Sequence, residues 1–257
     1  MRRILCEDTV EGIFTGVYYI YLKKYERTCI ELKIQGNNEN YQLFTIDEFV
    51  ASDVEKSVKV AKTIQRKFGM ECYNSLLRVA FSVEEDKAEV IFRTIEFGLE
   101  QEKGGKKSWN LLNNIKNSAI ARVFEINRTV KNEAGRYIEF IRFQELSNGV
   151  LLAEIEPENY VLPLLAEHFA DRMKNEHFLI YDKTKGHALV HPSRSQWEVY
   201  QNVFIDKQTL KYAEWEEEIC ELWKTFFHAI AIEDRSNRDL QISMLPLKFR
   251  KFMTEFI

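Results

Sequence analysis

The spacing of apolar residues changes period near residue 135, and this limits the chain to folds that carry both helices and a sheet. Before that point the intervals are mostly three and four. Asp53 is placed to cap a helix whose stripe is Val54, Val58, Ala61, Ile64 and Phe68, and helical patterns follow over about 71–82 and 86–101. Gly104-Gly105 interrupts them. Ser108 then precedes a predicted helix over about 109–132 with Leu112, Ile115, Ala119, Val123, Ile126 and Val130 on one face. Ahead of these lie a predicted strand over about 2–7 and a helix over about 9–26. That helix is opened by the capping-box spacing of Asp8 and Glu11. The alternation of Ile30, Leu32 and Ile34 predicts a strand, ended by Gly36-Asn37-Asn38.

Beyond residue 135 the texture is that of strands. Tyr137 to Glu145 and Val150 to Glu156 flank Ser147-Asn148-Gly149, a strong hairpin signal. A second hairpin is predicted from Phe178–Tyr181 and His187–Val190, joined through Asp182 to Gly186. Leu162 to Met173 has helical periodicity. A helix over about 210–232 places Tyr212, Trp215, Ile219, Leu222, Trp223, Phe226 and Ile230 on one stripe, and a short helix follows Pro246. The expected fold class is α+β: a helix-rich N-terminal part, then an antiparallel sheet of two hairpins packed against helices. The division falls into 1–134 and 135–257, as two regions or as one intimate globular unit.

Apolar residues at 45% and charged residues at 30% describe an ordinary folded globule. Cys6, Cys29, Cys72 and Cys220 lack metal or redox spacing. The start is too short an apolar stretch for a signal peptide, and no apolar run reaches the length of a membrane span. A reducing cytosol, no metal, no cofactor and no membrane are therefore expected.

The net charge of −4 argues against a chain coated for nucleic acid. The segment 103–136 departs from the rest, since Lys103, Lys106, Lys107, Lys116, Arg122, Arg128, Lys131 and Arg136 face only Glu125 and Glu133. Cations at several turns of one helix can neutralise successive phosphates, so this segment is the candidate nucleic-acid-binding surface; a solvated face is the plain alternative. Gly104-Gly105-Lys106-Lys107-Ser108 lacks the spacing of a phosphate-binding loop, although a helix start there could hold a phosphate.

Other polar groups are weighed by their spacing. His187 and His191, four apart on a strand, would stand about 13 Å from one another, too far for one metal. His168 and Arg172 share a helical face beside Asp171. Glu154 and Glu156 project from one face of a strand about 6.6 Å apart. A three-residue loop at Ser147–Gly149 would set Arg142 opposite Glu154, and a two-residue turn would set Phe143 there.

Three runs carry a family resemblance: Gly135-Arg136-Tyr137-Ile138-Glu139-Phe140-Ile141-Arg142-Phe143, Ala153-Glu154-Ile155-Glu156-Pro157, and Leu162-Pro163-Leu164-Leu165-Ala166-Glu167-His168-Phe169-Ala170-Asp171-Arg172. With Ile180-Tyr181-Asp182, Leu222-Trp223-Lys224 and Arg235-Ser236-Asn237, they make the chain resemble an uncharacterised family of DNA-metabolism proteins. The resemblance implies a gene beside that of a radical-SAM protein, and kinship to domains fused behind uracil-DNA glycosylases. It singles out Arg142, Glu156, His168, Arg172, Asp182, Arg235 and Asn237 as candidate site residues. The reading that follows is a DNA-repair accessory protein that binds DNA through 103–136 and acts with a radical-SAM partner. One rival is an enzyme acting on a damaged base, nucleotide or phosphodiester, with His168 as acid–base group, Arg172 as anion clamp and Glu156 beside them. The other is a protein-interaction module without nucleic acid.

Overall fold

The computed structural model describes residues 1–26, 29–36, 44–103, 108–206, 208–232 and 237–256, without the side chains of Lys103, Ser108 and Trp109. The chain divides into two compact units, Met1–Lys131 and Asn132–Ile257.

In the first unit β1 (Arg2–Cys6) leads through α1 (Val10–Lys23) to β2 (Ile30–Ile34), and β3 (Ile46–Val50) follows. The order is β2-β1-β3 with both pairings parallel, Ile4 lying opposite Leu32 and Glu48. Parallel neighbours need a crossover, which α1 supplies between β1 and β2. This all-parallel sheet departs from the hairpin architecture expected of the chain, and β3 went unpredicted because Ile46-Asp47-Glu48-Phe49 has no clean alternation. The cap of α1 is Thr9 and not Asp8: Thr9 Oγ1 accepts the Gly12 N–H at 2.9 Å, while Asp8 pairs with Lys87 at 2.5 Å. Apolar Ile4, Leu5 and Cys6 are buried with Ile13, Phe14, Val17 and Ile20.

Asp53 caps α2 (Val54–Phe68) as its position predicts, Oδ1 accepting the Lys56 N–H at 3.1 Å. The buried stripe is Ser57, Val60, Ile64 and Phe68; Val54 and Val58 face solvent, so the face is rotated from the expected one. α3 (Met70–Ala80) and α4 (Lys87–Lys103) follow. Two side chains of α4 serve the backbone of the edge strand β2, Glu89 accepting the Leu32 N–H at 2.7 Å and Arg93 donating to the Ile30 carbonyl at 2.6 Å.

The expected single helix over 109–132 is two pieces. A 3-10 turn covers Ser108–Asn113, and α5 (Ser118–Phe140) begins after Asn117, whose Oδ1 accepts the N–H groups of Ala119 and Ile120. Asn114 Nδ2 donates back to the Leu111 carbonyl at 2.9 Å, and such local bonds compete with helix. At its far end α5 absorbs residues 137–140, expected to be strand, because Val130, Ala134 and Tyr137 prolong its buried stripe.

The second unit takes up α5 at Asn132 and builds a five-stranded sheet, β4 (Gln144–Glu145), β5 (Val150–Ile155), β6 (His177–Asp182), β7 (His187–His191) and β8 (Glu198–Tyr200), ordered in sequence. The Asn148-Gly149 hairpin is present but short, with Gln144 opposite Leu152 and Glu145 opposite Leu151. This is the three-residue-loop register, with Gly149 at φ +79°. β6 and β7 form the second expected hairpin. Between the hairpins, however, β5 and β6 are parallel, so the sheet is mixed and not antiparallel throughout. The reason is α6 (Leu162–Arg172), which carries the chain back to the start of the next strand. Leu162, Leu165 and Phe169 of α6 pack with Ile155, Phe178, Ile180 and Leu189 in the core.

The helix expected over 210–232 is α7 (Glu216–Ala229), and its predicted buried stripe is at the surface. Glu216 decides this by turning inward, its Oε2 accepting the Glu145 N–H at 2.9 Å. Phe227, on the same face, meets the ring of Phe256 at 5.6 Å. α8 (Arg238–Met244) and α9 (Leu247–Arg250) close the chain on either side of Pro246, and a 3-10 turn covers Thr254–Phe256.

Candidate functional site

In open sheets with parallel strands, ligand crevices lie beyond the strands' carboxyl ends. In the second unit that position is set by β5 and β6, paired from Val150↔His177 to Ile155↔Asp182. The side chains gathered there come from four elements. α5 supplies Glu133 and Tyr137, the segment after β5 supplies Glu156, Glu158 and Asn159, the β6–β7 hairpin supplies Asp182, Lys183 and His187, and α9 with the residue after it supplies Lys248 and Lys251.

Asp182 is fully buried. Its Oδ1 accepts the N–H groups of Thr184 and Lys185 at 2.8 and 3.1 Å, which shapes the hairpin turn, and its Oδ2 has no hydrogen-bond partner among the described residues. His187, directly opposite in the ladder, has a buried Nδ1 that also lacks one. Burial raises the Asp182 carboxyl above its ordinary value and lowers the His187 imidazole, so both are pushed towards their neutral forms. Burial and then the charge of Glu133 push the Tyr137 phenol up as well. Unpartnered buried polar atoms are uncommon, and here a carboxyl and an imidazole that are ladder neighbours each carry one.

Glu156 lies closer to solvent. Its Oε2 accepts from Lys251 Nζ at 2.7 Å and its Oε1 lies 3.7 Å from Lys183 Nζ, and the Lys251 hydrogen bond lowers its carboxyl. Buried Glu133 accepts the backbone N–H groups of Glu158 and Asn159 at 3.0 and 2.9 Å and pairs with Lys248 at 3.4 Å. It therefore fixes the segment that leaves β5.

The candidate residues of the family pattern are thus divided. Glu156 and Asp182 belong to this cluster. His168 and Arg172 are exposed on α6; the imidazole of His168 meets the ring of Phe169, and among the described residues neither has a hydrogen bond or ion pair to Glu156. Arg142 grips buried Glu255, Nη2 to Oε1 at 2.6 Å and Nε to Oε2 at 3.3 Å, so the β4–β5 register that would have aligned it with Glu154 ends before reaching it. Asn237 caps α8, its Oδ1 accepting the Leu240 N–H at 3.0 Å. Arg235 lies outside the described residues. His187, Tyr137, Lys248 and Lys251 were missed. The pairing of His187 with Asp182 could have been read from the hairpin, whose loop starts and ends on them.

The basic segment is sorted by its partners. Lys106 and Lys107 lie outside the described residues, as does the side chain of Lys103. Arg122 is held by Asp86, with Nε to Oδ2 at 2.8 Å, and by Glu84 and Glu125; these carboxylates, Asp86 foremost, raise its guanidinium further. It borders a cavity of about 400 Å³ with Glu89, Arg93, Glu96 and Glu100. Arg136 donates to the Met244 carbonyl. Lys116, Arg128 and Lys131 are exposed and have no hydrogen bond or ion pair with described residues.

Among the described residues no group of three His, Cys, Asp or Glu could hold a metal, and no helix is long and apolar enough to cross a membrane. A family model described as a domain of unknown function (DUF4130) matches residues 85–255, about two thirds of the chain. No curated protein matches the sequence.

Proposed function

The chain belongs to the DUF4130 family, and we propose that it is an accessory protein of DNA metabolism that holds nucleic acid on the solvent face of α5. One observation carries the reading: Lys116, Arg128 and Lys131 lie exposed within one short stretch of chain with no carboxylate partner among the described residues, whereas Arg122 between them is held by three. Arg128 and Lys131 lie about one helical turn apart on α5, and Lys116 lies in the turn just before its first residue, so the three can meet more than one phosphate. The radical-SAM partner implied by the sequence resemblance belongs to the same reading, as the protein that the DNA-bound chain would serve.

The test is retention of single- and double-stranded DNA across a salt series. Wild-type affinity falls as salt rises, and reversing all three charges flattens the log–log slope by roughly 2 to 3, at about 0.7–0.9 per phosphate contact. Absence of salt-dependent retention in the wild type would remove the proposal.

A second reading, acid–base chemistry on a damaged base or nucleotide, is favoured by the buried polar atoms that Asp182 and His187, neighbours in the ladder, each leave without a hydrogen bond among the described residues. Incubation with uracil-containing, abasic and intact oligonucleotides gives a product with the wild type and none with His187→Gln. No product from any of them defeats this reading and leaves DNA binding untouched.

A further inference from the structure

Along α7 and its flanks Trp215, Ile219, Leu222, Phe226 and Ile230 recur at intervals of four, three, four and four, the spacing of a seam between two helices. Each is 50–63% exposed, and Trp223 beside them is 40% exposed. The helix is nevertheless anchored, since Glu216 and Phe227 turn into the unit on the adjacent face.

Side chains of this size, half out of the fold, show on the order of 100 Å² each, so the six present roughly 600 Å² per copy before backbone and flanking atoms are added. That reaches the upper end of the roughly 300–600 Å² found for the largest apolar patch of an ordinary monomer, and approaches the roughly 800 Å² per partner of a standard stable interface. The seam also matches itself when reversed. With Leu222 set against Trp223, Trp215 meets Ile230 and Ile219 meets Phe226, so every contact puts an aromatic ring against a branched aliphatic chain. Large against small in each layer is how facing helices interdigitate, and a contact that reads the same from both sides is what a two-fold axis requires. Direction is fixed by charge. Glu216, Glu217 and Glu218 crowd the first turn of α7, and a parallel pairing would bring two such turns together.

We propose that a second copy of this chain covers this face, α7 packing antiparallel on α7 of the other copy about a two-fold axis between Leu222 and Trp223.

Light scattering and sedimentation of the full chain over a dilution series test it. The expected result is twice the mass of one chain, giving way to the single mass on dilution. Leu222→Glu and Phe226→Glu, at positions exposed in the single copy, keep the wild-type circular dichroism and give the single mass throughout. Should either variant misfold, the decision passes to Leu222→Cys with Cys29→Ser. Mild oxidation then links two copies through residue 222, whereas Thr225→Cys, off the seam, links none. A wild type that stays single at every concentration overturns the proposal, even if it binds lipid vesicles or another protein, and so does a dimer that Leu222→Glu leaves intact.

Discussion

Buried Glu255 shows how much one side chain can depend on a distant one. Its carboxylate meets the Arg142 guanidinium at 2.6 and 3.3 Å, and the same guanidinium lies 5.8 Å from the Trp223 ring centroid. Burial alone would raise the Glu255 carboxyl, but Arg142 and backbone hydrogen bonds outweigh it and the group is lowered. Stability from this pair is therefore complete above the unfolded glutamate value of 4.5 and is lost as pH falls through the lower folded value. Removing one partner strands the other charge. Arg142→Met should cost about 3–5 kcal/mol in urea unfolding at neutral pH, and Arg142→Met with Glu255→Gln should recover most of it. Asp182 has the opposite sign. Its folded value is raised above 3.8, so its contribution is full below 3.8 and lost as pH rises through the folded value. Asp182→Asn keeps an oxygen for the turn and cannot ionise. Its stability relative to wild type should rise between acid and neutral pH, and a difference independent of pH would show that Asp182 titrates in the fold as it does in the unfolded chain.

At the scale of elements, close packing of α2 on α4 is the sharpest constraint in the first unit. A Cβ at Gly98 would stand 2.6–2.7 Å from two ring atoms of Phe68 and 2.9 Å from Leu111. Gly98→Ala should therefore destabilise by about 1–3 kcal/mol in denaturant, despite the roughly 1 kcal/mol that alanine offers a helix. What could be read from sequence follows the range of the forces involved. The Asp53 cap, the Gly149 turn and the β6–β7 hairpin depend on neighbours a few residues away, and each is where local chemistry puts it. Strand direction does not depend on neighbours, so the parallel β5–β6 pair was invisible until α6 was placed as its crossover. The face that α7 buries was equally hidden, because Glu216 rather than the apolar stripe anchors it. For the candidate site, Glu156 and Asp182 were legible from the sequence pattern. Lys248 and Lys251 were not, since only the folded chain brings α9 to residues some ninety positions earlier.

For the whole molecule the question is how a chain of net charge −4 could hold a polyanion. A phosphate responds to charge left uncompensated within about a Debye length, not to the total. By sequence, Arg122 and Arg128 look equivalent, both basic and both in the same helix. By structure they differ: three carboxylates hold Arg122, and among the described residues none holds Arg128. A phosphate approaching Arg122 would also approach Glu84, Asp86 and Glu125, and the attraction would largely cancel. Arg122→Gln should then loosen the contact between α5 and the segment before α4, with a change in stability of about 1 kcal/mol or less, as for other exposed ion pairs. It should leave DNA affinity and its salt slope unchanged. Arg128→Gln should do the reverse, with unaltered stability and a slope shallower by about 0.9 on duplex DNA. Equal effects of the two substitutions on binding would mean that total charge, and not the pairing seen in the fold, controls the contact.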